Sequence, residues 1–125
     1  MFEKLMERGR MAIDGIHFDV GSDVIRPESI RALATIGDML REHPTLQVCI
    51  EVHTDNVGIP ENNRRLSEAR ALAVVTYLVA KGAEAARVQY KGCGDAQPVA
   101  PNDTPLNRQR NRRVELVMQK ELSAQ

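Results

Sequence analysis

The stretch from Leu46 to Gly82 constrains this chain most. Leu46, Val48, Ile50 and Val52 alternate with Gln47, Cys49, Glu51 and His53. That period of two describes a strand with one covered face and one wetter face. The chain then passes through Thr54-Asp55-Asn56-Val57-Gly58 and enters a helix from about Glu61 to Lys81, with Gly82 a good stop. Backbone N–H groups at a helix start favour anions. Asp55 is a fixed negative charge at the strand exit, and Arg70 a fixed positive charge inside the helix. A site holding both signs suits a zwitterion better than a simple anion.

Helical phase sharpens the point. At about 100° per residue Leu66, Val74, Tyr77 and Leu78 form one stripe, and Arg70 falls inside it. Asn63 lies two turns earlier on nearly the same line. A charge on the apolar side of a helix needs a reason. One reason is a structural ion pair or a snorkelling stem. The other is a ligand carboxylate, which a guanidinium grips with two parallel hydrogen bonds. Arg112 raises the same question, being in phase with Val114, Leu116 and Met118.

Elsewhere the pattern predicts a short helix or arm over residues 1–14 and a strand over Gly15–Gly21. A helix opens at Arg26-Pro27-Glu28-Ser29, keeps its spacing through Arg41 and is blocked at Pro44. Arg87–Lys91 reads as a third strand, and Gly92-Cys93-Gly94-Asp95-Ala96-Gln97-Pro98 as a turn. Residues 102–111 read as a polar loop with a helical turn, Arg113–Gln119 as a last strand, and 121–125 as a frayed tail. The order β-α-β-α-β-β predicts an α/β two-layer sandwich, with two helices on one face of a four-stranded sheet. Residues 15–120 form the one domain expected.

With 125 residues, 42% hydrophobic and 27% charged, the chain can bury a real core. Seventeen basic residues balance seventeen acidic ones, so no bulk field draws it to nucleic acid or anionic lipid. No apolar run approaches the length of a membrane span. Met1–Arg8 lacks the apolar core of a signal peptide, which fits a cytoplasmic protein or an excised or differently anchored piece.

Other features have plainer readings. His17 with Asp19, and His53 with Asp55, alternate as ligands can, but the spacing is loose and no cysteine is expected to join them. No metal and no cofactor are expected, and His53 is read as supporting the Asp55 loop. The basic run 107–113 has no interleaved aromatics, and aromatic content is 3%, so stacking on bases is poorly supplied. Asp19, Asp23 and Asp55 lack a nucleophile–base pair, so no catalytic residue is assigned. Cys49 and Cys93 fall on the open face of the sheet; free thiols are the default, and a bridge needs neighbouring strands. Leu72, Val75 and Val79 line another face of the long helix, to pack on the first helix or to meet a partner.

His53-Thr54-Asp55-Asn56-Val57-Gly58, Asn63, Leu66-Ser67-Glu68-Ala69-Arg70-Ala71, Val74, Tyr77-Leu78, residues 92–98, Asn102 and Asn111-Arg112-Arg113-Val114-Glu115 together resemble the OmpA-like C-terminal domain of OmpA, MotB and Pal. The likeness covers roughly residues 16–118. It implies a mixed sheet, a periplasmic place in the cell envelope, and non-covalent binding of peptidoglycan that anchors an envelope protein to the cell wall. It further implies that Asp55 and Arg70 grip the ammonium and carboxylate of diaminopimelate in the stem peptide, with Asn63, Thr54 and Arg112 orienting them. The family's contact from the first loop falls on Gly21 and Ser22, whose backbone N–H groups are expected to replace a side chain. Expected partners are peptidoglycan and no nucleic acid. The parent protein is expected to be membrane-associated without a span in this chain, and a homodimer is left open. The rival readings are a protein-interaction domain of an envelope machine and a peptidoglycan hydrolase.

Overall fold

The computed structural model describes residues 1–119. Helix α1 (Phe2–Arg8) leads into strand β1 (Arg10–Ile13), followed by α2 (Ile30–Glu42) and β2 (Val48–His53). Helix α3 (Pro60–Ala80), β3 (Val88–Gly94), α4 (Pro105–Asn111) and β4 (Arg113–Met118) complete the order. The sheet runs β1-β4-β2-β3. Strands β2 and β3 are parallel, while β4 is antiparallel to both β1 and β2. A parallel pair needs a long crossover, and α3 supplies it. The two-layer α/β architecture and the mixed sheet are therefore as expected.

One face of the sheet carries the core. Val48, Ile50 and Val52 of β2 meet Val114 and Leu116 of β4, Ile13 of β1 and Val88 of β3. Leu33, Ile36, Met39 and Leu40 of α2, and Ala71, Val74, Val75 and Leu78 of α3, close over them. Val75 is thus core, whereas Leu72 and Val79 stay exposed. Leu5 of α1 is fully buried in the same cluster, and Phe2 stacks on His43 with ring centroids 3.5 Å apart.

The first strand lies earlier than the sequence pattern predicts. Residues 10–13, expected within an N-terminal arm, form the sheet edge by pairing Met11 with Leu116 and Ile13 with Val114. Gly9, with φ 78°, ends α1 in the left-handed conformation that glycine accepts readily, so the chain reverses directly into β1. The expected strand at 15–21 is instead a loop, held by a single antiparallel bridge between Phe18 and Ile25. The alternating His17-Phe18-Asp19-Val20 mimics a strand but joins neither edge of the sheet, β1 or β3. Pro27 opens a 3-10 turn, Pro27–Ser29, that runs on into α2. Strand β3 extends through Gly94, beyond the predicted turn start at Gly92. The predicted tail at 121–125 lies outside the described residues.

The wetter face of β2 is also buried, because long charged side chains lie across it. Arg10 Nη1 donates to Glu115 Oε1 at 2.8 Å and Glu51 Oε1 at 3.2 Å, and Arg113 Nε donates to Glu115 Oε2. Burial alone would raise the Glu115 pKa, but hydrogen bonds from Arg113 and Arg10 hold it below the ordinary carboxylate value. Cys49 and Cys93 are free. In the parallel register Cys49 faces Gln89, four residues before Cys93, an offset of about 13 Å that no disulfide spans.

Two contacts lock the helices in place. Gly92 faces the backbone of α3, where a Cβ would sit 2.2 Å from the Glu68 nitrogen. Arg87, 5% exposed, donates from Nε to the Leu46 carbonyl and from Nη2 to the carbonyls of Leu40 and His43, satisfying the end of α2. Gly92→Ala is expected to lift α3 and cost at least about 3 kcal/mol in urea unfolding. A loss below about 1 kcal/mol would show the approach is looser than described. Arg87→Met is expected to cost about 2–4 kcal/mol by stranding those carbonyls; an unchanged urea midpoint would contradict that role.

Candidate functional site

Asp55 sits where β2 gives out and the chain turns toward α3. Its Oδ1 accepts from the Val57 N–H at 2.9 Å, and its Oδ2 accepts from Arg112 Nη1. The residue is 7% exposed. A carboxylate has about four acceptor positions, so roughly two remain after these bonds. Thr54 braces the turn: its N–H donates to the Gly94 carbonyl and its hydroxyl to the Asp55 carbonyl, both at 2.8 Å. Asn63 closes it from the first turns of α3, with Nδ2 donating to the Val57 carbonyl at 2.9 Å and the Asp55 carbonyl at 3.4 Å. Gly58 has φ 92° and sits against Asn63, so the loop needs glycine there.

Arg70 is anchored differently. Its Nε donates to the Ser22 carbonyl at 2.8 Å and its Nη2 to the Asp19 carbonyl at 3.2 Å. The guanidinium lies over the Phe18 ring, 4.9 Å from its centroid, in a cation–π contact. These bonds use two of its five N–H groups. Burial lowers its pKa, Asp23 opposes that, and the charge of Arg112 lowers it further. Arginine stays protonated through such a shift. Arg70 therefore holds a partly dry positive charge close enough to Arg112 to feel it.

Asp55, Thr54, Asn63 and Arg112 thus form one cluster, with Arg112 linking it electrostatically to Arg70. Asp55 and Arg70 are each held by other groups and not by one another. The first loop contributes otherwise than expected. The Ser22 N–H is spent on the Asp19 carbonyl at 3.1 Å, while Gly21, with φ 66°, forms the exposed bend between them. What the loop offers Arg70 is the Ser22 carbonyl. Arg112 precedes β4, and its side chain is 48% exposed. His17 and Asp19 do not converge, because the Asp19 carboxylate pairs with Arg26.

Several contributors escape sequence reasoning. Phe18 supplies the ring under Arg70. Ser67 accepts from the Gly94 N–H at 2.9 Å and donates to the Arg64 carbonyl at 2.8 Å, tying α3 to the end of β3. Asn111, fully buried, accepts from the N–H groups of Val99 and Ala100 and donates to the Ala100 carbonyl and Asn102 Oδ1. It fixes the chain immediately before Arg112. Its polar character next to an arginine gave a weak signal at most. A cavity of about 510 Å³ lies elsewhere, between the C-terminal parts of α2 and α3, and contains none of the predicted site residues.

The structure thus holds one ion pair, Asp55 with Arg112, at the exit of β2, and one guanidinium, Arg70, on the carbonyls of the first loop. Comparison with known proteins agrees with the sequence motifs. The chain is 33% identical over 105 residues to the probable lipoprotein YiaD of Escherichia coli, covering 84% of this chain and 48% of that protein. It is 39% identical over 92 residues to the peptidoglycan-binding protein ArfA of Mycobacterium tuberculosis, covering 74% and 28%. Its structure is similar to that of the cell wall anchor of the T6SS from Pseudomonas aeruginosa, with TM-score 0.75, 35% identity and coverage of 89% and 80%. The chain spans less than half the length of these two curated relatives. Residues 17–112 match the model of the OmpA family, and the chain belongs to that family.

Proposed function

We propose that this chain binds peptidoglycan non-covalently in the periplasm and holds a larger envelope protein to the cell wall. The ligand group is the diaminopimelate of the stem peptide, with Asp55 taking its ammonium and Arg70 its carboxylate. One observation supports this reading: the two charges are held by separate partners and not by one another, which leaves each with unused hydrogen-bonding capacity. The names of ArfA, a peptidoglycan-binding protein, and of the cell wall anchor support it. Thr54 and Asn63 act by shaping the Asp55 turn, and Arg112 neutralises Asp55 when no ligand is bound. The chain acts by binding and not by turnover. Among the described residues no helix is long and apolar enough to cross a membrane.

Each charge-assisted contact in a partly dry site contributes about 1.5–3 kcal/mol. Asp55→Ala and Arg70→Ala are each expected to weaken retention on purified peptidoglycan about 10–100-fold while leaving the circular dichroism spectrum unchanged. Unchanged retention of both folded variants would refute the assignment. Titration with a diaminopimelate-containing stem peptide should move the amide resonances of Asp55, Asn63, Arg70 and Arg112. The same titration with a stem carrying lysine, which lacks the second carboxylate, should move them much less. Incubation with peptidoglycan should release no soluble fragments; their appearance would favour the hydrolase.

A further inference from the structure

The open face of the sheet carries a second cluster that the proposed wall-binding site does not use. His53 is 1% exposed, and among the described residues neither ring nitrogen has a well-formed hydrogen bond, Nε2 making only a long approach to Glu51. Each unmet buried polar group costs on the order of 1–3 kcal/mol, so a ring with two is an unusual thing to keep. Glu51 Oε1 lies 3.5 Å from His53 Nε2, and Cys93 Sγ lies 4.0 Å from that same oxygen. One ligand atom from each of the three side chains falls within 4.8 Å of the others.

The sheet explains this convergence. Glu51 and His53 are two residues apart on β2 and so share a face. On β3 the register slips: Val52 faces Gly92, but His53 faces Gly94. Cys93 follows Gly92, the partner of Val52, and so lies on the same open face as Glu51 and His53, with its thiol 4.0 Å from Glu51 Oε1. The sequence expectation that no cysteine joins His53 is overturned, because β2 and β3 are neighbours and their pairing sets Cys93 beside His53.

We propose that Glu51, His53 and Cys93 form a binding site for a divalent transition-metal ion of borderline softness, with Zn²⁺ as the type. One oxygen, one imidazole nitrogen and one thiolate are a ligand set for zinc, whereas calcium and magnesium take oxygen. Zinc bond lengths at tetrahedral angles place such ligand atoms roughly 3.3–3.6 Å apart. The distances of 3.5 Å and 4.0 Å approach that spacing, and with all three ligand atoms within 4.8 Å of one another the set has to contract around the ion. Glu115 Oε2, 4.0 Å from His53 Nε2, or a water can take a fourth position.

The charges accommodate the ion. Glu51 and Glu115 are matched by Arg10 and Arg113. Metal entry releases the Cys93 thiol proton to solvent and adds one net positive charge to the cluster. The Arg10 side chain is 49% exposed, so it can leave Glu51 for water while keeping Glu115. The site does not depend on the peptidoglycan reading.

The test is titration of the whole chain with Co²⁺, then competition by Zn²⁺ against a chromophoric chelator. The wild type should saturate at one equivalent and show thiolate-to-cobalt charge-transfer absorption. Cys93→Ser should abolish that absorption and weaken Zn²⁺ by at least about 100-fold, since even outer-shell losses cost 10–100-fold. Cys49→Ser should keep both properties. No charge-transfer absorption in the wild type, its persistence in Cys93→Ser, or its loss in Cys49→Ser would each overturn the site. Should Cys93→Ser fail to fold, the wild-type ring-nitrogen resonances decide. Zn²⁺ should shift those of His53 and leave those of exposed His17 in place, and an unmoved His53 would overturn the proposal.

Discussion

The close approach of α3 to β3 governs the geometry of everything around it. Gly92 leaves no side chain between the strand and the helix backbone at Glu68. Ser67 then fastens the two, receiving the Gly94 N–H and donating to the Arg64 carbonyl. Two site residues are placed by this one contact. Asn63 lies one turn before Ser67 and reaches the Asp55 loop. Arg70 lies three residues after Ser67 and reaches the carbonyls of the first loop. A helix spaced farther from the strand by an ordinary side chain would shift both residues together.

Buried charge in this protein is always answered by specific partners, which is why it can be tolerated. Arg87 spends its guanidinium on the carbonyl end of α2 and on the Leu46 carbonyl. Glu51 and Glu115 share Arg10, and Glu115 also holds Arg113. Such pairs contribute little net stability over an apolar core, because desolvation offsets attraction. They do penalise a shifted register. Moving β4 by one residue would turn Glu115 toward Ile50 and Val52 and face Val114 to the charged side. The charged face thus works with the apolar face to fix one alignment of the strands.

Much of this was readable from the chain, and the rest failed for identifiable reasons. The alternation at 46–54 reads as β2, and the run without a breaker between Pro60 and Gly82 reads as α3, both nearly at their true limits. The apolar-phase position of Arg70 correctly marked a constrained side chain. The expected first strand lies too late because β1 has only Met11 and Ile13 packed on the core side, while His17–Val20 imitates the same alternation without joining the sheet. The extent of β3 was hidden because Gly92 and Gly94 signal turns locally, whereas here they are required by the nearness of α3. Cys93 joining Glu51 and His53 depends on which strands are neighbours in the sheet, which no single stretch of sequence encodes. The carbonyls that hold Arg70 were equally invisible, since backbone groups leave no trace in residue identity.

The pairing of Asp55 with Arg112 bears on how such a site can be both built and used. A carboxylate that is 7% exposed cannot wait unpaired for a ligand without a large desolvation cost. Arg112, half exposed and outside the regular part of β4, supplies a counter-charge that can yield. A ligand ammonium arriving at Asp55 therefore exchanges one ion pair for another, and only the difference appears as affinity. Arg70 is not so occupied: its hydrogen-bond partners are neutral carbonyls, with Asp23 near but not paired to it, so a ligand carboxylate can add a direct ion pair there. On the proposed reading both ends hold the ligand, and the ammonium end, by exchanging one ion pair for another, also supplies selection. Attachment to a polymer can then rest on modest single-site affinity, because many sites on one wall raise the effective concentration of the next contact.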